Sequence, residues 1–438
     1  MTEFISIIII NHNGADHLRQ CLASIKDLDY EKDKYEVIVF DNGSTDESIR
    51  VVERSFSSAV IIKNRTNIGF AAPHRRAAKA AKGDILAFLN NDMKVDSRWL
   101  TEAASLLDRK KGIVCASSRI KTWKGRRTEF GGGTLHYLGY ADQISDTVAE
   151  RGEEILFPCG GAMLIFRDVF LEADCFDDDY FAIFEDVDLG WRLWLMGYRV
   201  VMAPESFVYH RGHSTLDRQK AGKKRFLMHR NALMTIIKNY DDENLKKILP
   251  LAFILAVKRA LLFMDIKKES FYFWKEDDLN VHMPPNLEEG CIHLAALDDV
   301  MENFVSIKRR REAVQAKRKR ADREIFRLFK DPFRNLMGYK EYLWEEVSLF
   351  GHFSFEELFA CEKEYENRLN EGIYHAEKTL GNLRKKIRKE RWNIPVNVNN
   401  PNRIGQISDK FFRSFVQQGL GATLGKVSNH LVALMRKM

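Results

Sequence analysis

From Ile5 to Ile10 the chain is β-branched and apolar except at Ser6, the pattern of a strand buried on both faces, and Asn11-His12-Asn13-Gly14 closes it as a polar turn. Between His17 and Ile25 the apolar residues Leu18, Leu22 and Ile25 fall at helical spacing. A second short apolar strand, Tyr35 to Phe40, leads into Asp41-Asn42-Gly43-Ser44. The alternation continues with Val60-Ile61-Ile62, an alanine-rich helix from Ala71 to Ala81, and a strand over Ile85 to Leu89 that ends in Asn90-Asn91-Asp92. Val200 to Val208 reads as a further strand. Such an order predicts an α/β fold, a mostly parallel sheet with helices on both faces, whose ligands bind beyond the carboxyl ends of the strands.

Past Tyr240 the chain becomes charged and helical, as far as a segment rich in Asn and Pro at 393–403. The expected organisation is a catalytic domain over 1–240 and a mainly helical region over 241–438 serving a membrane surface or oligomerisation. A length of 438 residues accommodates two modules. The net charge of +7 is the residue of 69 basic and 62 acidic side chains, so global charge argues little for a polyanionic partner. The six cysteines include no C-x-x-C pair, which points to a reducing compartment. The start, Met1-Thr2-Glu3-Phe4, lacks the features of a secretory signal, so a cytoplasmic protein is expected. The apolar run from Ile248 to Met264 contains Pro250 and is broken by Lys258-Arg259, short of the ~20 apolar residues of a spanning helix. With the basic stretch Lys308 to Arg320 it suggests peripheral attachment to the anionic inner face of a membrane, against the alternative of a solvated helix face. Nucleic acid is not expected, because no aromatic residues interleave that basic stretch.

Four polar clusters carry candidate chemistry. Asp41 stands at a strand end, suited to accept an N–H from a nucleobase edge, while Ser44 or Asp46 suits a cap for the helix beginning near Glu47. Leu89-Asn90-Asn91-Asp92 keeps only the last carboxylate of an Asp-x-Asp signature, enough for a hard divalent cation that also takes phosphate oxygens. In Phe184-Glu185-Asp186-Val187-Asp188-Leu189-Gly190-Trp191-Arg192 three carboxylates meet one helix start, with Gly197 as its stop. Asp188 pairs with Arg192 four residues on, which leaves Glu185 and Asp186 among Phe181, Phe184 and Trp191, surroundings that raise a carboxyl pKa toward that of a general base. Tyr209-His210-Arg211-Gly212-His213 offers imidazoles for a metal and a guanidinium for phosphate.

In this order, Asn11-His12-Asn13, Asp41-Asn42-Gly43-Ser44-Thr45-Asp46, Asn67-Ile68-Gly69-Phe70-Ala71, Leu89-Asn90-Asn91-Asp92, Cys159-Gly160-Gly161-Ala162 and Phe184-Glu185-Asp186-Val187-Asp188-Leu189 resemble glycosyltransferase family 2, especially its rhamnosyltransferase-like bacterial members. The resemblance runs from Ile5 to about Asn239 and implies a GT-A fold. By position it implies nucleotide contacts from Asn11, Asn13, Asp41, Asn67, Gly69 and Asn91, metal ligation by Asp92 and His210, and Asp186 as catalytic base. Gly160, Gly161, Glu185 and Trp191 would face the acceptor or donor sugar. The stretch Ala72-Pro73-His74-Arg75-Arg76 departs from the small residues and asparagines of many relatives.

The expected activity is inverting transfer of a sugar from a UDP- or dTDP-type donor to a glycan or lipid-linked acceptor, with Mg2+ or Mn2+, in cell-surface polysaccharide synthesis. A nucleotidyltransferase or an oxidoreductase on a similar sheet would carry a glycine-rich loop directly after the first strand, and Asn11-His12-Asn13-Gly14 is not one. Gly131-Gly132-Gly133 comes after the metal turn and better suits an acceptor-side loop. A degenerate nucleotide-binding module is the remaining alternative, and the intact set Asp41, Asp92 and Asp186 argues against it.

Overall fold

A computed structural model describes residues 3–212, 218–264 and 287–334, with single positions at 336, 342, 346 and 349. His213 and the 393–403 segment lie outside the described residues. The first half alternates as its hydrophobic pattern dictates: β1 (Ile5–Asn11), α1 (Ala15–Lys26), β2 (Tyr35–Asn42), α2 (Ser48–Ser55), β3 (Val60–Asn64), α3 (Ala71–Ala80) and β4 (Ile85–Asn90). These four strands pair in parallel, β2 and β4 flanking β1 and β3 outside β2. Ile7, Ile8 and Ile9 are fully buried, each worth roughly 1.5–3 kcal/mol, which holds β1 inside the sheet.

Beyond β4 the sheet becomes mixed. There follow β5 (Met93–Val95), α4 (Trp99–Ala104), β6 (Ile113–Thr122), β7 (Thr128–Phe130), the hairpin strands β8 (Gly133–Leu135) and β9 (Ala141–Gln143), β10 (Ala162–Phe166), α5 (Arg167–Glu172), α6 (Glu185–Leu195) and β11 (Arg199–His210). The sheet runs β3-β2-β1-β4-β10-β6-β11-β5, with β7 beside β6. β10 is antiparallel to both β4 and β6, so its beginning, Gly160-Gly161, arrives at the same edge where β1, β2 and β4 end. Half of the strand pairings within this sheet are antiparallel, a feature that an apolar pattern shared by both kinds of buried strand does not reveal.

The helical portion comprises α7 (Arg218–Asn239), α8 (Asp242–Phe263), α9 (Leu287–Glu302), α10 (Phe304–Ala316) and α11 (Asp322–Ile325). The chain forms two compact units, 1–333 and 334–438. Tyr240, the expected module boundary, is the joint between α7 and α8 inside the first unit, and its buried hydroxyl donates to the Tyr137 carbonyl. Much of the basic stretch on and after α10 is turned inward. Arg310 pairs with Asp177 and Asp179, Arg311 with Asp242 and the Ile237 and Tyr240 carbonyls, Arg318 with Asp322, and Arg320 with the carbonyls of Gly197 and Tyr198. Lys308 and Arg309 remain exposed. Among the described residues no helix is long and apolar enough to cross a membrane.

Candidate active site

The strand ends build the site's floor. Register places Asn11 beside Asp41, and Ile10 beside Asn90. Asn11 receives the Asn91 amide at 2.7 Å and donates to Ser44 Oγ at 3.2 Å; Asn13 receives the Thr45 N–H at 2.7 Å. Ser44 Oγ also accepts from Asn13 N at 3.0 Å, so Ser44 ties the first turn to the second and does not cap a helix. Asp46 stands one residue before the N-cap Glu47 and accepts the first N–H of two helices, Oδ1 from Ser48 N at 3.0 Å and Oδ2 from Ala15 N at 3.1 Å.

Asn42, which the sequence reading left without a role, holds the third turn. Its amide reaches Asn67 Oδ1 and the Gly69 carbonyl, and its oxygen accepts from Ile68 N. Gly69 sits at φ +86°, and a Cβ there would come within 2.5 Å of the Phe181 carbonyl, so only glycine fits. The stretch departing from the resemblance is structural: His74 is buried with its ring edge-on to Phe88 and Phe176, and Arg75 pairs with Asp174 and Asp178.

Asp92 follows β4. Its Oδ2 lies 3.2 Å from His210 Nε2, and His210 Nδ1 lies 2.6 Å from Glu129 Oε2. The hydrogen bond to Asp92, with its charge and Glu129's, raises the imidazole to about 9 despite burial. Burial opposes ionisation of Asp92, but the His210 hydrogen bond and charge outweigh it and hold the carboxyl below its usual range. Glu129, on β7, was missed because a lone carboxylate in a short strand carries no sequence signal. These groups line an open cleft of about 930 Å³ that also receives Arg119, Arg126 and Arg127.

Asp186 is at the first turn of α6. Oδ2 accepts from Gly160 N at 2.8 Å and Oδ1 from Val187 N at 2.8 Å. A Cβ at Gly161 would stand 2.6 Å from Asn90 Nδ2, so a larger residue there would displace the Asn90 amide. Burial, then the charge of Asp186, lifts Glu185 to about 8; burial also raises Asp186, though its two backbone N–H donors oppose the rise. Within this pair the proton belongs on Glu185, whose Oε2 has no donor, and the charge on Asp186.

The segment entering α6 is strained, with Phe181, Ile183 and Phe184 all at positive φ. Asn231 on α7 holds it, its amide within reach of the Tyr180, Ala182 and Ile183 carbonyls at 3.1, 2.8 and 2.6 Å. Asp188 pairs with Arg192 at 2.8 Å as its spacing implied, and also with Lys238 at 2.9 Å, all three buried. Trp191 is not at the site: it is fully buried, edge-on to Tyr240 and Phe329, because it faces the helical layer covering α6.

Among the described residues of this site, three buried carboxyl oxygens, Asp41 Oδ1, Asp92 Oδ1 and Glu185 Oε2, have no hydrogen-bond partner. Buried polar atoms are ordinarily paired, so orphaned acceptors around one sheet edge mark a place for a ligand that brings donors or positive charge.

The polar groups gathered beyond the strand ends of this open sheet stand where α/β folds of this kind bind ligands. Residues 6–174 match the profile of Glycosyl transferase family 2, and they lie in a mixed α/β sheet flanked by helices. Over 109 residues it is 34% identical to the glycosyltransferase AglE of Haloferax volcanii, an alignment covering 24% of this chain and 35% of that protein. Over 248 residues it is 27% identical to the N-acetylglucosaminyl-diphospho-decaprenol L-rhamnosyltransferase of Mycobacterium tuberculosis, covering 49% of this chain and 78% of that one. The chain thus spans about a third of the length of the first of these curated relatives. Among solved structures, that of S. aureus TarS residues 1–349 aligns with a TM-score of 0.45 at 15% identity, over 86% of this chain and 92% of that one.

Proposed function

We propose that the chain is an inverting glycosyltransferase that moves a sugar from a nucleoside diphosphate to an acceptor hydroxyl in cell-surface glycan synthesis. The observation carrying this reading is Asp186, a half-buried carboxylate fixed by two backbone N–H groups beside an edge where Asp41 and Asp92 present unpaired oxygens. Asp41 Oδ1 accepts the imide N–H of uracil or thymine, with Asn11, Asn13, Asn67, Gly69 and Asn91 shaping the surrounding turns. Gly160 and Gly161 keep the wall beside Asp186 free of side chains on the sugar side, and Glu185, neutral at pH 7, donates a hydrogen bond there.

Asp186 takes the acceptor proton while that oxygen forms its bond to the anomeric carbon and the carbon–phosphate-oxygen bond breaks. The electron pair of that bond leaves with the nucleoside diphosphate, and the configuration inverts. Asp92 Oδ1 and, once its proton is displaced, His210 Nε2 would fit a divalent cation, an oxygen and a nitrogen donor with room for phosphate oxygens. Bound there, Mg2+ or Mn2+ would supply charge neutralisation for the departing diphosphate. Glu129 orients His210, and Arg119, Arg126 and Arg127 give the cleft a positive wall suited to phosphate.

Purified chain incubated with a panel of nucleotide sugars, with and without Mn2+, should release nucleoside diphosphate only with metal. Release of pyrophosphate would indicate a nucleotidyltransferase, and nucleotide binding without turnover a degenerate module. Asp92→Ala should weaken Mn2+-dependent UDP binding by about tenfold or more in calorimetry, since ligand loss exceeds the outer-shell effects of 10–100-fold only upward. Unchanged affinity would move the metal away from Asp92.

For an acceptor held at a membrane, the apolar side chains Ile254, Val257 and Leu261 on α8 and Met301, Phe304 and Val305 around the α9–α10 joint are exposed and available to a lipid surface. Because Arg310 and Arg311 are engaged internally, charge attraction falls to Lys308 and Arg309. Sedimentation with anionic vesicles should be weakened by salt and by Lys308→Gln/Arg309→Gln; no vesicle binding at low salt would end this part of the reading.

A further inference from the structure

Away from the sheet edge, α7 and α9 bring together three groups that sugar transfer does not use. His229 on α7 and Glu289 and His293 on α9 each offer one ligand atom, and these atoms lie within 4.8 Å of one another. Glu289 and His293 stand four residues apart, on one face of their helix. The two imidazoles face each other with centroids 3.8 Å apart and planes inclined by 32°. His229 Nε2 and His293 Nδ1 are buried and lack hydrogen-bond partners, and His293 is only 2% exposed.

The surroundings fit a ligand set better than a packed core. Buried ring nitrogens are ordinarily paired, and two unpaired ones beside a carboxylate leave donor capacity aimed at something absent from the protein's own bonding. The other nitrogen of His229 is fixed, Nδ1 lying 2.9 Å from Tyr140 Oη, which is the outer contact that orients a ligating imidazole. Phe263 stacks on His293 at 5.6 Å and closes the apolar side. Arg225 Nε pairs with Glu289 Oε2 at 2.5 Å, and a bound ion would take the place of that guanidinium at the carboxylate.

We propose that His229, Glu289 and His293 form a second metal site, for a zinc-like divalent ion that clamps α7 to α9. Two imidazole nitrogens and one carboxylate oxygen select a borderline transition ion, whereas Mg2+ and Ca2+ prefer oxygen throughout. Three protein ligands leave a fourth tetrahedral position for water. The site is separate from Asp92 and His210 and does not depend on the transfer reaction.

The test uses the full chain carrying Asp92→Ala, so that zinc bound at the proposed catalytic position is removed from the count. Titration with zinc alone should give one bound equivalent, and Co2+ in its place should give the visible absorption of a four-coordinate nitrogen and oxygen site. Adding Tyr140→Phe should weaken zinc by about 10–100-fold, and His229→Gln or His293→Gln by at least as much. The zinc-induced rise in melting temperature should vanish with those histidine variants. Glu289→Gln, at a half-buried position, provides the same comparison if a histidine variant does not fold. No retained zinc in the Asp92→Ala chain, or zinc affinity unchanged by folded His293→Gln and Glu289→Gln variants, would overturn the proposal.

Discussion

Asp186→Asn is expected to lower turnover by about 10²–10⁴-fold while leaving donor affinity nearly unchanged. The substitution keeps the volume and removes the capacity to take a proton. It also turns an amide NH2 toward either Gly160 N–H or Val187 N–H, each of which now donates to a carboxylate oxygen. That loss of an acceptor costs about 1–3 kcal/mol, so turnover and UDP affinity are to be compared on protein whose circular dichroism and melting temperature confirm folding. The sign of the pH dependence follows from the same geometry. The base acts as carboxylate, burial raises its pKa, and activity should therefore climb as pH rises through that raised value. Near-normal turnover in the folded variant would remove Asp186 from the mechanism and bring Glu185 forward.

Asp188→Ala should act on stability, because its carboxylate is the common partner of Arg192 and Lys238. All three groups are buried, and removing one member leaves uncompensated charge, a loss of about 3–5 kcal/mol. Asn239 also donates to Asp188 Oδ1 at 3.0 Å, and Lys238 continues to Asp177, so the cluster joins α6 to α7 under the catalytic turn. Urea denaturation followed by tryptophan fluorescence should show the midpoint fall accordingly. Burial works against the Asp188 charge, but Arg192 and Lys238 hold its pKa well below the carboxylate range. With the folded value depressed, this contribution is complete above the unfolded value, about 4, and is lost as pH falls from there through the folded value. A midpoint shift under about 1 kcal/mol would mean that the two cations find other partners at little cost.

Strand and helix positions in the first half were legible because burial on two faces leaves a continuous apolar run, as in Ile5 to Ile10, and a half-buried helix leaves spaced apolar residues, as in Leu18, Leu22 and Ile25. Turns were legible as well, since a strand end at a polar sheet edge needs residues such as Asn11, Asp41 and Asp92 that no core would tolerate. The pair Asp188–Arg192 could be read because its partners sit one helical turn apart. Glu129 beside His210, Asn42 bridging to Gly69, Asn231 under the strained turn and Lys238 against Asp188 could not, since each contact spans 27 to 81 residues of chain. Trp191 illustrates the same limit from the other side. Its neighbours in sequence are the candidate acids, but α6 turns it toward Tyr240 and Phe329, and local order carries no information about which layer covers a helix. By itself the sequence determined the elements, the polar strand ends and the family resemblance, all consequences of short-range periodicity and composition. Only the tertiary structure decided which carboxylates are paired and which keep an unpaired oxygen, that Arg310 and Arg311 of α10 are spent inside the protein, and that His229 meets His293, because electrostatics and burial depend on distances between residues far apart along the chain.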